Sequence, residues 1–260
     1  MHKHKCKKLS ARNIVERPSP NFNDRRGHSV QFLIIHYTAM STAESAIKLL
    51  CDPKSQVSAH YVVDEQAGIY RLVDEENRAW HAGVSYWEGH TDLNSSSVGI
   101  EIANTGDSEY PQAQMDAVIS LSRSIVNRHN IPARHVIGHS DIAPDRKQDP
   151  GALFDWTAFA RAGLGVWPTV EAQDYDQSKN WSDSQLKHAL IELGYRPELD
   201  LTTVVTAFQR HFQPESFKTS ENVGVADSET KARLASLLRN RAVAIASAAA
   251  RKKKKKRCKC

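Results

Sequence analysis

Over residues 10–165, short runs of β-branched and other apolar residues alternate with stretches of helical periodicity. This alternation constrains the fold more than any other feature of the sequence. Gln31–His36 (QFLIIH) is almost continuously apolar, which is typical of a strand buried on both faces. Strands interleaved with helices predict an α/β fold in which a mixed central sheet is flanked by helices. The other predicted elements are strands at 60–64, 69–73, 97–103 and 136–139 and helices at 43–50 and 112–129.

Residues 181–241 carry helical patterns only. Ser182 and Gln185 have the S-x-x-Q spacing of a capping box and begin the first predicted helix. A second helix is predicted over Thr202–Phe212, and Asp227 is placed to cap a third. The sequence therefore predicts a second, small all-α domain of three helices, for which a binding module and a purely structural appendage are both open.

The change of pattern gives the expected domain boundaries. We expect a basic tail at 1–12, a first domain at 13–168, a linker at 169–180, the three-helix domain at 181–241 and a second tail at 242–260, Ala-rich and then rich in Lys and Cys. Cys51 is the only cysteine outside the tails, so no internal disulfide is expected. The tail cysteines are Cys6, Cys258 and Cys260. Both tails are compatible with metal or lipid binding and with solvated or added ends.

Positive charge is concentrated in the tails. Of the 35 Lys and Arg residues, 12 lie in residues 1–8 and 251–260, which leaves 23 basic against 30 acidic residues in the body. The body therefore carries a formal charge of −7, although the whole chain carries +5. We expect no nucleic acid partner, because such a body repels phosphate. No run of 18 apolar residues occurs and no apolar stretch follows the charged N-terminus, so neither a membrane span nor a signal peptide is expected.

Two histidines stand at the ends of predicted strands, where side chains project rigidly toward the rim of a sheet. His36 ends FLIIH, and His139 ends VIGH and begins the polar loop GHSDIAPDRKQDPG, in which Asp149 follows ten residues later. Two imidazoles and one carboxylate make a three-ligand zinc set with an open fourth position, the pattern of catalytic zinc. The two histidines are 103 positions apart, so their spacing alone is weak support for a metal site. Histidines satisfied within the core are the alternative.

Two charged residues accompany this set. Glu101 interrupts the apolar strand SVGIEIA and shares one face with the small residues Gly99 and Ala103, which leaves room for a ligand. A buried carboxylate is costly without a partner, and beside a cation it stays ionised and can accept a proton from water. A core pair with an Arg is the alternative. Lys147 lies two residues before Asp149; it is placed to stabilise an oxyanion, or it is a solvated loop lysine.

Six segments in chain order resemble the type-2 zinc N-acetylmuramoyl-L-alanine amidases, which share a fold with phage amidases and peptidoglycan recognition proteins. The segments are FLIIHYTA, VSAHYVVDE, AWHAGVS, LNSSSVGIEIAN, VIGHSDIAPDRKQDPG and LFDW, within residues 30–165. The likeness is greatest to the Gram-negative outer-membrane amidases that accept both MurNAc and anhydro-MurNAc. Residues 181–240 resemble their C-terminal peptidoglycan-binding domain. The combination is highly specific, although each motif alone is not.

The resemblance implies a role for each candidate residue. Zinc, the implied cofactor, would be held by His36, His139 and Asp149, with Asp where phage enzymes have Cys. The implied catalytic residues are Glu101 and Lys147. The implied substrate-binding residues are Trp80, His81, Ala82 and Asn94, of which His81 is equally compatible with a structural role. Ala59 stands where phage enzymes place a Tyr, which excludes a Tyr-assisted variant.

The implied reaction is hydrolysis of the amide between the lactyl group of MurNAc or anhydro-MurNAc and L-Ala of the stem peptide. Peptidoglycan or muropeptides are then the partners, and a monomer is expected. A non-catalytic peptidoglycan-binding module is the alternative, although such relatives usually lack a zinc ligand. The implied location is the cell envelope, at the periplasmic face and outer membrane, with the tails or an anchor as a membrane contact. Because no signal peptide is visible, cytoplasmic recycling and a phage-type lytic role stay open.

Overall fold

The computed structural model describes residues 14–257, with side chains up to residue 243. The basic tail at 1–12, with Cys6, and the end of the chain, with Cys258 and Cys260, lie outside the described residues. The described chain divides at Val166 into two compact units. The elements of the first are β1 (Ile14–Glu16), β2 (Phe22–Asp24), β3 (Phe32–Tyr37), α1 (Ala43–Leu50), β4 (Tyr61–Val63), β5 (Ile69–Arg71), β6 (Asn77–Ala79), α2 (Leu93–Ser96), β7 (Ser97–Ile102), α3 (Gln112–His129), β8 (Val136–Gly138), α4 (His139–Ile142) and α5 (Trp156–Arg161).

A six-stranded sheet forms the centre of the first unit, with strand order β1-β5-β4-β7-β3-β8. Strands β4 and β5 pair antiparallel as a hairpin, and the other neighbours in this sheet pair parallel. β2 and β6 form a separate antiparallel pair. The first four residues of β3 have no exposed surface, as expected for a strand between two neighbours and covered on both faces. The α/β prediction, with a mixed central sheet flanked by helices, is confirmed.

Helices flank the sheet and are fixed by polar contacts at their ends. Thr42 caps α1 by accepting a hydrogen bond from the backbone N–H of Ser45, and the left-handed Asn130 ends α3. The buried Gln114 of α3 donates from Nε2 to the backbone carbonyls of Asp64 and Ala103, just beyond β4 and β7. These bonds hold α3 against the carboxyl ends of two central strands.

One strand prediction needs correction. β8 ends at Gly138, and His139 begins helix α4 instead of ending the strand. The backbone N–H of Gly138 donates to Oδ2 of Asp141, which fixes the start of α4. An ideal Cβ at Gly138 would lie 2.7 Å from Cδ of Pro150. The absence of a side chain at position 138 therefore lets the loop that carries Asp149 pack onto the end of the strand.

The second unit begins at Trp167 and consists of helices among its described residues. They are α6 (Ala172–Ser178), α7 (Asp183–Leu193), α8 (Leu201–Phe212), α9 (Ser216–Thr219) and α10 (Ser228–Arg257). The predicted helices correspond to α7, α8 and α10, and the capping box of Ser182 and Gln185 begins α7. The capping of α10 is also present, since Asp227 Oδ1 accepts from the backbone N–H of Thr230.

Three features of this unit differ from the prediction. The stretch 169–180, predicted to be a linker, contains α6, because the fully buried Asp174 accepts hydrogen bonds from Arg239 of α10 at 2.9 Å. The short helix α9 raises the number of described helices in the unit to five. Helix α10 continues through Arg257, so most of the stretch counted as a tail at 242–260 is helical.

Candidate functional site

His36, His139 and Asp149 come together at the carboxyl ends of strands β3 and β8, and all three are buried. Nδ1 of His36 lies 3.0 Å from Nδ1 of His139 and 2.8 Å from Oδ2 of Asp149, and Nδ1 of His139 lies 3.0 Å from the same oxygen. Tetrahedral ligand bonds to zinc of about 2.0–2.2 Å place the ligand atoms about 3.3–3.6 Å apart, slightly more than the spacing of these three atoms. The three atoms therefore lie close enough together to hold one ion.

The loop between α4 and α5 brings Asp149 to the histidines. The backbone N–H of Ser140 donates to the carbonyl of Asp149 at 2.8 Å, which ties the loop to the start of α4. Gly151 follows with a positive φ of 80°, a conformation that favours glycine. The loop is therefore tied to the start of α4 at the residue that presents the carboxylate, and it turns two residues later.

Electrostatics in the cluster favour a neutral His36 beside an ionised Asp149. Burial, together with the neighbouring His139, lowers the pKa of His36 to about 4. Burial opposes ionisation of Asp149, but the interactions of the carboxyl with His139 and His36 outweigh it and hold its pKa below the ordinary value. At neutral pH the set is therefore ready to bind a cation without first losing a proton from His36.

The position of the ring proton on His139 also supports a metal site. Nε2 of His139 lies 3.2 Å from the carbonyl oxygen of Ala82, which can only accept a hydrogen bond. Nε2 must then carry a proton, and in the tautomer that can bind a metal Nδ1 presents a lone pair to Asp149. Lone pairs that converge without a proton between them repel one another, and a bound cation removes this repulsion. The chemistry of the donor set thus fits a metal ion.

Glu101 lies beside this cluster on β7, directly across the strand pair from His36. Its Oε2 is buried and has no hydrogen-bond partner among the described residues. Burial, and next the charge of Asp149, raise the pKa of Glu101 well above its ordinary value, while Lys147 opposes the shift. A buried carboxylate oxygen without a partner is rare and points to a ligand or a reacting group.

A cleft of about 520 Å³ opens over these residues. Trp80, His81, Glu101, His139, Lys147 and Asp149 are among the residues that line it. Lys147 is partly exposed there, and its backbone N–H donates to the carbonyl of Ala143, directly after α4. A second cleft, of about 740 Å³, is lined by residues of the second unit. We assign the chemistry to the smaller cleft because it contains the converging donors and the unpartnered carboxylate.

The four predicted substrate-binding residues occupy different places. Trp80 and His81 line the cleft, whereas Ala82 and Asn94 are not among the described residues that do so. Oδ1 of Asn94 accepts from the backbone N–H groups of His81 and Ala82, at 2.9 and 2.7 Å. His81 is itself buried, and its Nδ1 lies 3.0 Å from Nε2 of His36. His81 therefore contacts His36, Ala82 contacts His139, and Asn94 holds the backbone of His81 and Ala82.

Arg146 is a residue of the site that the sequence analysis missed. It lines the cleft, and its guanidinium donates to the backbone carbonyls of Ala82 and Val84. The sequence signal was weak, because an arginine in a polar loop is ordinarily solvated. The carbonyl groups that Arg146 contacts belong to residues more than 60 positions away, so no local sequence pattern indicates these contacts.

Comparisons with known proteins agree with this geometry. Residues 26–152 match the family model described as N-acetylmuramoyl-L-alanine amidase. The chain is 36% identical over 256 residues to the N-acetylmuramoyl-L-alanine amidase AmiD of Escherichia coli (strain K12), a match that covers 86% of this chain and 90% of AmiD. The chain belongs to the N-acetylmuramoyl-L-alanine amidase family. All five predicted metal and catalytic residues of this amidase lie within the matched range.

Two solved structures resemble the amidase over most of its length. One is the complex of AmiD from E. coli with the substrate anhydro-N-acetylmuramic acid-L-Ala-D-γ-Glu-L-Lys, with a TM-score of 0.71 and 35% identity, covering 84% of this chain and 90% of that one. The other is AmpDh3 from Pseudomonas aeruginosa, with a TM-score of 0.72 and 31% identity, covering 85% and 94%. Within residues 14–257, no helix of the amidase has the length and apolar character needed to cross a membrane.

Proposed function

We propose that this amidase is a zinc enzyme that hydrolyses the amide between the lactyl group of MurNAc or anhydro-MurNAc and L-Ala of the peptidoglycan stem peptide. The observation that carries the proposal is the unpartnered, buried Oε2 of Glu101 next to three converging metal donors. The relative AmiD supplies the substrate class, since its crystallised complex holds anhydro-N-acetylmuramic acid-L-Ala-D-γ-Glu-L-Lys.

His36, His139 and Asp149 would hold the metal. Zinc bound by three protein ligands lowers the pKa of a coordinated water to about 7 and polarises a carbonyl group. Two imidazoles and one carboxylate leave a net positive charge on the loaded site, which suits the neutralisation of a developing oxyanion. The ligands come from a central strand, a helix start and a tied loop, so their positions are fixed before substrate arrives.

Glu101 would move the proton. Its carboxylate accepts a proton from the attacking water as the water oxygen bonds to the lactyl carbonyl carbon. The same carboxyl then returns that proton to the L-Ala nitrogen when the carbon–nitrogen bond breaks, so the two products are a lactyl carboxylic acid and a free amine. Burial raises the pKa of Glu101 above its ordinary value, which makes the carboxylate a stronger proton acceptor.

Lys147 would stabilise the charge that develops on the carbonyl oxygen. It lines the same cleft as Glu101, and its positive charge acts on both Glu101 and His36. Removal of one oxyanion donor typically lowers the rate by about 10²–10³-fold. Trp80, partly exposed at the cleft wall, offers an apolar surface to the sugar or the stem peptide.

The test is a digest of purified muropeptides, with anhydro-MurNAc and reduced MurNAc forms side by side. We expect release of a free stem peptide that begins with L-Ala, loss of release on chelation and recovery on addition of zinc. The ratio of the two rates gives the substrate preference. No release from either form by the zinc-loaded protein would overturn the proposal in favour of a non-catalytic peptidoglycan-binding module.

We propose in addition that the helical unit binds polymeric peptidoglycan. Its cleft of about 740 Å³ is lined by Trp181 together with polar side chains that include Gln177 and His188, a combination of an aromatic surface and hydrogen-bonding groups that suits a sugar. The replacement Trp181→Ala should weaken retention on insoluble peptidoglycan and leave hydrolysis of soluble muropeptides unchanged. Val225→Ala, at an exposed position of the same unit, is the control. Equal retention of both variants would contradict this second role.

The substrate also bears on location. Polymeric peptidoglycan lies in the cell envelope, so an envelope location with outer-membrane association is part of the proposal. Fractionation of cells that express the full chain tests it, and recovery of all activity with the cytoplasmic fraction would favour a recycling role. Sedimentation of the purified protein tests the monomer expected from the sequence.

A further inference from the structure

A chain of hydrogen bonds leads from the protein interior to His36 and passes through His81. Oγ of Ser97 donates to the backbone carbonyl of Leu93. The same oxygen lies 3.2 Å from Nε2 of His81, and Nδ1 of His81 lies 3.0 Å from Nε2 of His36. All four residues are buried. The chain therefore joins a backbone atom to one of the proposed metal ligands.

The direction of each hydrogen bond follows from its inner end. The carbonyl of Leu93 can only accept, so the single proton of the Ser97 hydroxyl is used there, and Oγ must accept from Nε2 of His81. The neutral His81 ring then has a lone pair on Nδ1, which accepts from Nε2 of His36. The proton of His36 is thereby held on Nε2, and Nδ1 is left with the lone pair that metal binding requires.

We infer that His81 is a positioning residue, which fixes the orientation and the tautomer of His36 for metal binding. The inference rests on the proposed function, because it takes His36 as a metal ligand. Groups that hydrogen-bond to a ligating histidine orient its ring, and their loss typically weakens metal affinity by about 10–100-fold.

The neighbouring strand reserves space for the His81 ring. An ideal Cβ at Gly99 would lie 2.6 Å from both Cγ and Nδ1 of His81, closer than any side chain can approach. The room that the small residues of β7 leave beside Glu101 is thus filled, at position 99, by the imidazole of His81. The ring lies at 87° to that of His36, with centroids 5.1 Å apart, so it meets the metal ligand edge-on.

Ala82, the residue after His81, orients the second histidine of the metal cluster, His139. The backbone carbonyl of Ala82 accepts from Nε2 of His139, in the way that the side chain of His81 accepts from His36. Oδ1 of Asn94 accepts hydrogen bonds from the backbone N–H groups of His81 and Ala82 and holds both residues in place. His81, Ala82 and Asn94 therefore form one support for the two imidazole ligands.

The experiment measures zinc affinity of the full chain by competition with a chromophoric chelator. The replacement His81→Phe keeps a ring of similar size and removes the acceptor, so we expect affinity to fall by about 10–100-fold. The replacement His81→Asn places an amide oxygen near the position of Nδ1 and should restore most of the affinity. His135→Phe removes another buried histidine, which bonds to the carbonyl of Gln31, and should leave affinity unchanged.

The outcomes separate this inference from the proposed function. If the wild-type chain binds no zinc, the proposed function fails. If the wild-type chain binds zinc and His81→Phe binds it equally well, the positioning role fails while the proposed function stands. A loss in His81→Phe that His81→Asn does not restore assigns the residue to packing and also overturns the positioning role.

A second measurement needs no variant and so does not depend on how the variants fold. Long-range ¹H–¹⁵N spectra of the wild-type protein labelled at histidine report which ring nitrogen carries the proton. We expect His36 and His81 both to carry it on Nε2, before and after zinc is added. A proton on Nδ1 of His81 would reverse the chain of hydrogen bonds and overturn the inference.

Discussion

His36 and Glu101 are Cα partners in the register of the parallel strands β3 and β7. Paired residues on neighbouring strands direct their side chains to the same face of a sheet. The proposed metal ligand and the proposed proton acceptor are therefore held beside each other by backbone pairing at the centre of the sheet. Their relative position does not depend on a loop. A substitution of either side chain should therefore leave the backbone position of the other residue unchanged.

The replacement Glu101→Gln tests the proton-transfer role. Loss of a positioned acid–base group typically lowers turnover by about 10²–10⁴-fold, and we expect a loss in this range with zinc content unchanged. The free energy of unfolding of the metal-free protein should rise by roughly 1 kcal/mol, because a neutral amide loses less hydration on burial than a carboxylate. Muropeptide hydrolysis, metal analysis and urea unfolding check the three parts. Loss of zinc from this variant would make Glu101 a ligand or a structural residue.

The replacement Lys147→Ala tests oxyanion stabilisation. We expect kcat to fall by about 10²–10³-fold, while the zinc affinity stays near that of the wild type because Lys147 is not a ligand. Rates with saturating anhydro-muropeptide measure the effect. Lys48→Ala, on helix α1, serves as the control for removal of a lysine from the same unit. Full activity of Lys147→Ala would remove the residue from the mechanism.

The replacement Gly138→Ala tests how the loop that carries Asp149 is seated. The new Cβ would lie 2.7 Å from Cδ of Pro150, and overpacking of this kind typically costs about 1–3 kcal/mol of stability. Zinc affinity should fall as well, because the displaced loop carries a ligand. Gly163→Ala is the control: its site has a φ of 78° but open space, so it should lose stability through backbone strain and keep its zinc affinity. Equal zinc affinity in the two variants would show that the loop adjusts elsewhere.

Much of the site could be predicted from the sequence because it is built on regular elements. The apolar run before His36 predicts a buried strand whose end reaches the rim of the sheet, and alternation within SVGIEIA places Glu101 on one face. These local patterns predict the structure correctly because the burial of apolar residues determines which face of a strand points inward. The α/β fold follows from the same alternation of strands and helices.

The residues that orient the metal ligands could not be predicted in the same way. The role of His81 depends on a contact with His36, 45 positions away, and on the open face of Gly99. No periodic pattern encodes such a contact. Helix α6 was missed for a similar reason, since Asp174 is stabilised by Arg239 of a distant helix, and local polarity alone indicated a linker.

Glu75 provides a test of stability away from the active site. Its carboxylate accepts hydrogen bonds from Arg128 at 2.6 and 2.9 Å and from the hydroxyl of Tyr61 at 2.7 Å. Burial raises the pKa of this carboxyl, but the bonds from Arg128, Tyr61 and His129 outweigh that effect and lower the pKa to about 2. The group is therefore ionised in the folded protein at pH values where it is protonated in the unfolded chain.

The sign of the pH dependence follows from this difference. A carboxyl with a depressed pKa in the folded state stabilises the protein above its unfolded pKa of about 4.3, and that contribution is lost as the pH falls toward the folded value. The shift corresponds to about 3 kcal/mol, of which about half is lost by pH 3. In urea unfolding between pH 5 and pH 3, the wild type should therefore lose more stability than Glu75→Gln, which lacks the titrating group. Parallel pH profiles for the two proteins would mean that the Arg128 pair contributes nothing to folding.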